Sequence, residues 1–318
     1  MASLTSRPRV AIACQGGGSH TAFTAGVLKR LLRDDRFDVV ALSGTSGGGV
    51  CAFLAWYGLT TAGPETSVSL LDSFWAGVSA TEPWDVALNA WVVNTSRLEG
   101  VMTLPAVSPY AYPHWGQERF RQQLDGLVPP EALADAETAP GPLLLVGAVD
   151  VESGQFKAFS SARREISAEA VLASAAIPNL FRAVHVDGVA YWDGLFSQNP
   201  PVRELPDTRP DAIWVVQINP ATRSSEPTSM SEILDRRNEL SGNLSLSQEL
   251  FFIEKINELV RTGALAGTKY REIAVETIAL DRDLDTPSKL DRSPAFIADL
   301  MALGDAQAEA FLGRLSPN

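Results

Sequence analysis

The chain has 318 residues, 45% hydrophobic and 20% charged, with 26 Lys and Arg against 38 Asp and Glu for a formal net charge of −12. This excludes a disordered chain, and it excludes nucleic acid as the expected partner, because phosphate binding needs clustered Lys and Arg and no basic stripe is visible. No run approaches the roughly 18 apolar residues of a spanning helix, and Met1 to Arg9 is short for a signal peptide, so the expectation is a soluble cytoplasmic protein.

Arg9 to Cys14 reads as a first strand, followed by the loop Gln15-Gly16-Gly17-Gly18-Ser19-His20 and a helix over Thr21 to Leu32, with Phe23, Val27, Leu28 and Leu31 at helical spacing. Strand, glycine loop and helix together aim backbone N–H groups at whatever anion lies over the helix start. The dinucleotide pattern G-x-G-x-x-G fails at Thr21, and there is no G-K-[ST] of a P-loop, so an oxyanion hole for acyl transfer is preferred to a nucleotide site. The second strand, around Val39 to Leu42, runs into Gly44-Thr45-Ser46-Gly47-Gly48, a G-x-S-x-G turn, and then into a helix expected to stop near Gly58. Such a turn holds its serine strained and outward, which makes Ser46 a candidate nucleophile. The five residues alone fit a plain Ser/Gly loop as well; the flanking strand and helix favour chemistry. Cys14 and Cys51 fall in a strand and a buried helix and read as small core residues, with no metal or disulfide framework.

Leu70 to Trp115 holds Trp75, Trp84, Trp91, Tyr110, Tyr112 and Trp115, and no Lys or Arg occurs from Phe37 through Ser96. Two readings stay open: padding of the main core, or an apolar surface for neutral lipid-like substrate, with Trp84, Trp91, Tyr110 and Trp115 as candidate substrate-binding residues and transient contact with a membrane or micelle. Leu124 to Pro140 is expected to be a helix end and an exposed connection. Leu143 to Val149 is a strong strand that turns at Ser153-Gly154 into Phe156 to Phe159. Glu165 to Ala176 is a short helix stopped by Pro178. Asp187-Gly188, between alternating arms, predicts a type I′ hairpin turn. Asp193-Gly194 instead ends a strand at the mouth of a loop running to Asn199-Pro200-Pro201, where a cis peptide is conceivable and where open α/β sheets hold their sites. Ala212 to Ile218 is a buried strand. Ser229 and Glu232 form a capping box opening a helical pattern to about Thr262, one bent helix or two. Ile273 to Leu280 is a last strand, and Ser293-Pro294 opens a final helix to about Leu312.

A serine hydroxyl is a poor nucleophile near neutral pH and needs a base and oxyanion donors. The chain has three histidines, His20, His114 and His185; none lies late in the chain where an ordinary Ser–acid–His order would put it, and His185 reads as a buried strand residue. The bet therefore moves to a carboxylate that takes the serine proton directly, with Asp193 first and Asp150 behind it.

Gly16-Gly17-Gly18 after a first strand, Gly44-Thr45-Ser46-Gly47-Gly48, Ala173-Ser174-Ala175-Ala176-Ile177-Pro178, and Asp193-Gly194 followed by Asn199-Pro200 together resemble a patatin-like phospholipase, over roughly Arg9 to Pro201. The resemblance implies a three-layer α/β/α fold with a mainly parallel sheet carrying an antiparallel hairpin portion, in a single domain over 1–318. The motif core would be 9–201, a lid-like aromatic insertion about 70–125, and a C-terminal extension 212–318. It implies a Ser–Asp dyad of Ser46 and Asp193, an oxyanion hole from Gly16, Gly17, Gly18 and Gly47, hydrolysis of lipid acyl esters, and no cofactor or metal. Family members commonly carry Arg or Lys followed by Gly where this chain has His20 and Thr21, and a further Gly or an Asn within what is here Leu195 to Gln198. An acyltransferase using the same dyad and a non-catalytic lipid-binding protein are the other readings. Oligomeric state is not written in the sequence.

Overall fold

The computed structural model describes residues 7–98 and 107–315. Among the described residues eight strands form one sheet: β1 (Arg9–Cys14), β2 (Asp38–Thr45), β3 (Leu143–Asp150), β4 (Phe156–Ser160), β5 (Val184–Val186), β6 (Val189–Asp193), β7 (Ala212–Gln217) and β8 (Ala274–Ala279). The helices are α1 (Ala22–Leu31), α2 (Gly47–Thr61), α3 (Pro64–Val78), α4 (Pro83–Leu98), α5 (Trp115–Leu127), α6 (Pro130–Ala136), α7 (Ala168–Ser174), α8 (Met230–Arg261) and α9 (Pro294–Arg314). The strand order is β5-β6-β3-β2-β1-β7-β8, with β4 also on β3. The pairs among β3, β2, β1, β7 and β8 are parallel, and those involving β4, β5 and β6 are antiparallel.

Strand periodicity makes the two covering layers. Val10, Ile12 and Cys14 join the larger core with α1, α2 and α9, while Ala11 and Ala13 face the smaller core containing Leu246 and Ile253 of α8. Residues buried on both faces are what a parallel sheet between helices requires. Small residues let α1 and α9 meet closely: a Cβ at Gly26 would strike the Met301 carbonyl, and one at Gly304 the Phe23 carbonyl.

Most expected elements are present, with informative shifts. The Asp187-Gly188 turn has both residues at positive φ, 50° and 83°, as a type I′ turn demands. The Asn199–Pro200 peptide is cis. α8 is one helix of 32 residues with the full capping box at Ser229 and Glu232, so the change of stripe near Gly242 does not break it. The α2 helix passes Gly58 and ends at Thr61, because Gly58 is where α3 packs, a Cβ there meeting Ser67. The expected exposed connection after Leu124 is partly wrong. Pro130 opens α6 at its first turn, where a missing N–H is harmless, and Leu133 and Ala136 are buried. His185 is exposed, not buried: it sits on the β5 arm of a hairpin at the sheet edge.

Candidate active site

Ser46 is the residue between β2 and α2, with φ 56° and ψ −134°, a conformation that costs a non-glycine residue about 1–3 kcal/mol. The surroundings hold it there. Its N–H donates to Ser174 Oγ at 2.9 Å, its carbonyl accepts the Val50 N–H at 3.0 Å, and Ser174 Oγ donates to the Gly147 carbonyl at 2.6 Å. Ser174 thus ties the turn to β3 while wholly buried. The small neighbours are obligatory: a Cβ at Gly44 would overlap Gly48 and Gly49, and one at Gly16 would lie 2.8 Å from the Ser46 Cβ.

Asp193 arrives from an antiparallel strand, and the ladder explains where it lands. Ala148 and Val149 of β3 pair with Lys157 and Phe156 of β4, and also with Asp193 and Trp192 of β6. A strand has two edges, so β6 occupies the edge that β2 uses, and β2 ends at Thr45 opposite Gly147. Asp193, opposite Ala148, therefore takes the ladder position just past Thr45, where Ser46 turns away. The Asp193 N–H donates to the Ala176 carbonyl at 3.0 Å, which locks the strand end to the Ala173–Pro178 segment.

Both side chains are enclosed, Ser46 at 6% exposure and Asp193 at 1%. Asp193 Oδ1 accepts the Leu195 N–H at 2.8 Å, while Oδ2 is buried with no hydrogen bond of ordinary length and angle. Burial raises the carboxyl from its ordinary 3.8 to about 7; the Leu195 N–H and, more weakly, the Ser46 hydroxyl beside it pull the other way. This leaves the carboxyl balanced between its two protonation states near neutral pH.

The glycine loop closes the third side. A Cβ at Gly47 would strike the Thr21 hydroxyl and lie 3.0 Å from the Gly18 carbonyl, so the start of α2 and the loop touch. Gly18, at φ 56°, is held by the Thr21 hydroxyl, which donates to its carbonyl at 2.6 Å. Among the described residues the N–H groups of Gly17, Gly18 and Gly47 donate to no acceptor. Gly16 differs: its N–H donates to Asn199 Oδ1 at 2.6 Å, so it braces the loop instead of offering a free donor, a departure from its expected place in the oxyanion set.

Several contributors carried no motif signal. Gln15 donates from Nε2 to Asn243 Oδ1 at 2.8 Å and accepts, at Oε1, the N–H groups of Ile218 and Asn219, both at 2.8 Å. Asn199 Nδ2 donates to the Gly242 carbonyl at 3.2 Å. These amides fasten the glycine loop and the Asn199 loop to the middle of α8. Lys289, far away in sequence, abuts Gly18 through its carbonyl and Cβ, and its Nζ donates to Asn219 Oδ1 at 2.7 Å. A cation thus stands near the loop although His20 and Thr21 occupy the usual Arg/Lys-Gly positions, and burial lowers its pKa.

The histidines take no part at Ser46. His20 pairs its Nε2 with Ser288 Oγ at 2.8 Å, and burial holds its pKa down at about 3; His114 and His185 are exposed. Asp150 closes its own turn, accepting from Ser153 Oγ at 2.6 Å and from the Glu152 N–H at 2.9 Å. Among the described residues no cluster of His, Cys, Asp and Glu could hold a metal ion.

The aromatic segment divides. Trp75 is core, whereas Trp84, Trp91 and Trp115 are 60%, 65% and 78% exposed and Tyr110 is also exposed. Positions 99–106 within it lie outside the described residues. α4 is pinned by a bidentate pair from Arg292 to buried Asp85, at 2.5 and 3.2 Å, and by the Arg292 N–H on Asn89 Oδ1 at 2.8 Å. Arg292 follows closely on Lys289, so one stretch of chain touches both α4 and the glycine loop. Around Tyr110, the Arg182 guanidinium donates to the Pro109, Tyr110 and Tyr112 carbonyls. These four rings are left in solvent, so core padding is not their role.

A family model of patatin-like phospholipases matches residues 12–206, well over half of the chain. The chain belongs to the patatin-like phospholipase family. The matched stretch contains the glycine loop, Ser46, Ser174, Asp193 and Asn199; α8, Lys289 and α9 lie beyond it. Among solved structures, VipD from Legionella pneumophila is similar at 13% identity and a TM-score of 0.49, over 96% of this chain and 67% of that one. The type III effector protein ExoU is similar at 16% identity and a TM-score of 0.38, over 97% of this chain and 54% of that one. No curated protein matches the chain. No described helix is long and apolar enough to cross a membrane.

Proposed function

We propose that this patatin-like phospholipase family member hydrolyses acyl esters of lipids through an acyl-Ser46 intermediate, with Asp193 as its base and then its acid. The observation that carries this reading is the β6 docking on β3, which delivers a carboxyl with a pKa near 7 beside a serine in a strained turn. A base with a pKa close to the working pH combines a populated ionised form with useful proton affinity. Asp193 Oδ2 takes the Ser46 proton as Oγ attacks the ester carbonyl carbon. The oxyanion accepts the N–H groups of Gly17, Gly18 and Gly47, each such donor contributing roughly 3 kcal/mol to the transition state. Collapse releases the alcohol, which carries off the proton from Asp193. Water then attacks the acyl-serine, giving its proton to Asp193, and the acid leaves as Ser46 regains its hydrogen.

Trp84, Trp91, Tyr110 and Trp115 contribute the other half of the reading: amphipathic rings left in solvent suit transient docking on a lipid surface, where rings of this kind settle at the headgroup level. The decisive experiment is fluorophosphonate labelling beside turnover of a chromogenic short-chain ester. Ser46→Ala is expected to abolish labelling and lower turnover by more than about 10³-fold. Labelling that persists in Ser46→Ala overturns the assignment.

A further inference from the structure

A cavity of about 750 Å³ among the described residues is not lined by Ser46. It lies on the α8 face of the sheet, between α8, the 203–209 segment after the Asn199–Pro201 loop, and the 269–273 segment leading into β8. Its walls divide by chemistry. Phe252, Ile253 and Ile256 of α8 face Phe156 at the tip of β4, while Arg203, Arg209, Lys269 and Arg271 bring four cations together in a chain of net charge −12.

The cations come from two segments that touch. Arg271 Nη2 donates to the Arg209 carbonyl and to Asp211 Oδ1, the latter at 3.1 Å, and Lys269 Nζ lies 3.6 Å from Asp207. Much of the guanidinium capacity is left over. Arg271 Nε is enclosed without a partner, and the side chains of Arg203 and Arg209 make no hydrogen bond or ion pair among the described residues. Glu249, the remaining carboxylate of the wall, is already saturated: it accepts the Val202 N–H at 2.6 Å, the Arg203 N–H at 3.0 Å and Gln198 Nε2 at 3.0 Å. An enclosed donor with no acceptor is unfavourable, and an anion at this wall is the kind of partner that supplies one.

We propose that this cavity is a binding site for a single-chain amphiphilic carboxylate, its head on Arg203, Arg209 and Arg271 and its chain along Phe252, Ile253 and Ile256. Guanidinium forks match the two oxygens of a carboxylate, and the volume falls within the roughly 300–1,000 Å³ of small-molecule sites. The site does not rest on the proposed hydrolysis, although a long-chain carboxylate is what that hydrolysis releases. One wall residue, Gln198, belongs to the loop that runs from Asp193 to Asn199, so the cavity and the Ser46 corner share a strap of chain.

The test is calorimetric titration of laurate, below its micellar concentration, into the full chain carrying Ser46→Ala, which keeps turnover out of the readout. One laurate per chain is expected, with affinity reduced at least about tenfold by Arg203→Gln/Arg209→Gln and lost in Ile256→Trp, which fills the cavity. Dodecanol is expected to bind more weakly than laurate. Should Ile256→Trp fail to fold, the double Arg variant, which changes only side chains at the cavity rim, still decides. Laurate binding equal in the double Arg variant and its parent overturns the proposal, whatever Ser46→Ala does to turnover, and dodecyl phosphate binding more tightly than laurate overturns the head-group assignment.

Discussion

The Ser46 corner and the aromatic edge carried by α4, the 109–112 turn and the start of α5 are built by opposite rules. At the corner nearly every position is Gly, Ala, Ser or Asn, close approach is the organising demand, and the polar groups are held by bonds such as Ser174 to Ser46 and Asn199 to Gly16. At the edge the residues are the largest available, left in solvent, and fastened at a few points, chiefly Arg292 on Asp85 and Arg182 on the carbonyls around Tyr110. Under the proposed function the contrast separates chemistry from docking: the corner must hold two enclosed side chains in one arrangement, while the edge would need only to present apolar area.

The sharpest break in this contrast is Asp193→Asn. It should lower ester turnover by about 10²–10⁴-fold while leaving or raising the melting temperature above pH 7, since it removes a carboxylate that burial disfavours. The sign follows from the raised pKa: between about 4 and 7 the folded state holds a proton the unfolded chain releases, so Asp193 makes the wild type lose stability as pH rises through that window. Activity should run the other way, kcat/KM falling as pH drops below about 7; a profile flat from pH 5 to 8 would remove Asp193 as the base. Ser174→Ala touches the corner without touching substrate. Losing its bonds to the Ser46 N–H and the Gly147 carbonyl should destabilise the fold by about 1–3 kcal/mol and lower kcat roughly tenfold with KM little changed, and restoration by Ser174→Thr would identify the hydroxyl as the cause.

Effects at the edge should be smaller and of another kind. Arg292→Ala strands the buried Asp85 carboxylate and should cost roughly 2–3 kcal/mol in urea unfolding, below the 3–5 kcal/mol of a fully buried pair because Arg292 keeps contact with water. Trp84→Ser with Trp91→Ser should slow hydrolysis of phospholipid vesicles several-fold more than hydrolysis of a soluble short-chain ester. Equal slowing of both substrates would mean that the two regions are not separable.

Local chemistry controls the features that are legible in the residue order. Alternating and helical periodicity placed the parallel strands and the main helices, Asp187-Gly188 specified its turn because both positions need positive φ, and Ser229 with Glu232 specified where α8 begins. The G-x-S-x-G spacing marked Ser46 because only small neighbours allow that backbone. The tertiary structure alone decided what depends on distant residues meeting. The exposure of Trp84 and Trp91, invisible in a segment whose apolar content fits a core equally well, follows from the way Arg292 and Asn89 orient α4. The burial of α6 depends on the core it joins rather than on the prolines that open it. Lys289 reaches Gly18 across some 270 positions, which no local pattern encodes. The neighbourhood of Ser46 and Asp193 is of the same kind: it arises because β6 continues the edge that β2 leaves vacant at Thr45, and burial there, a property of the assembled sheet, raises the Asp193 carboxyl to about 7.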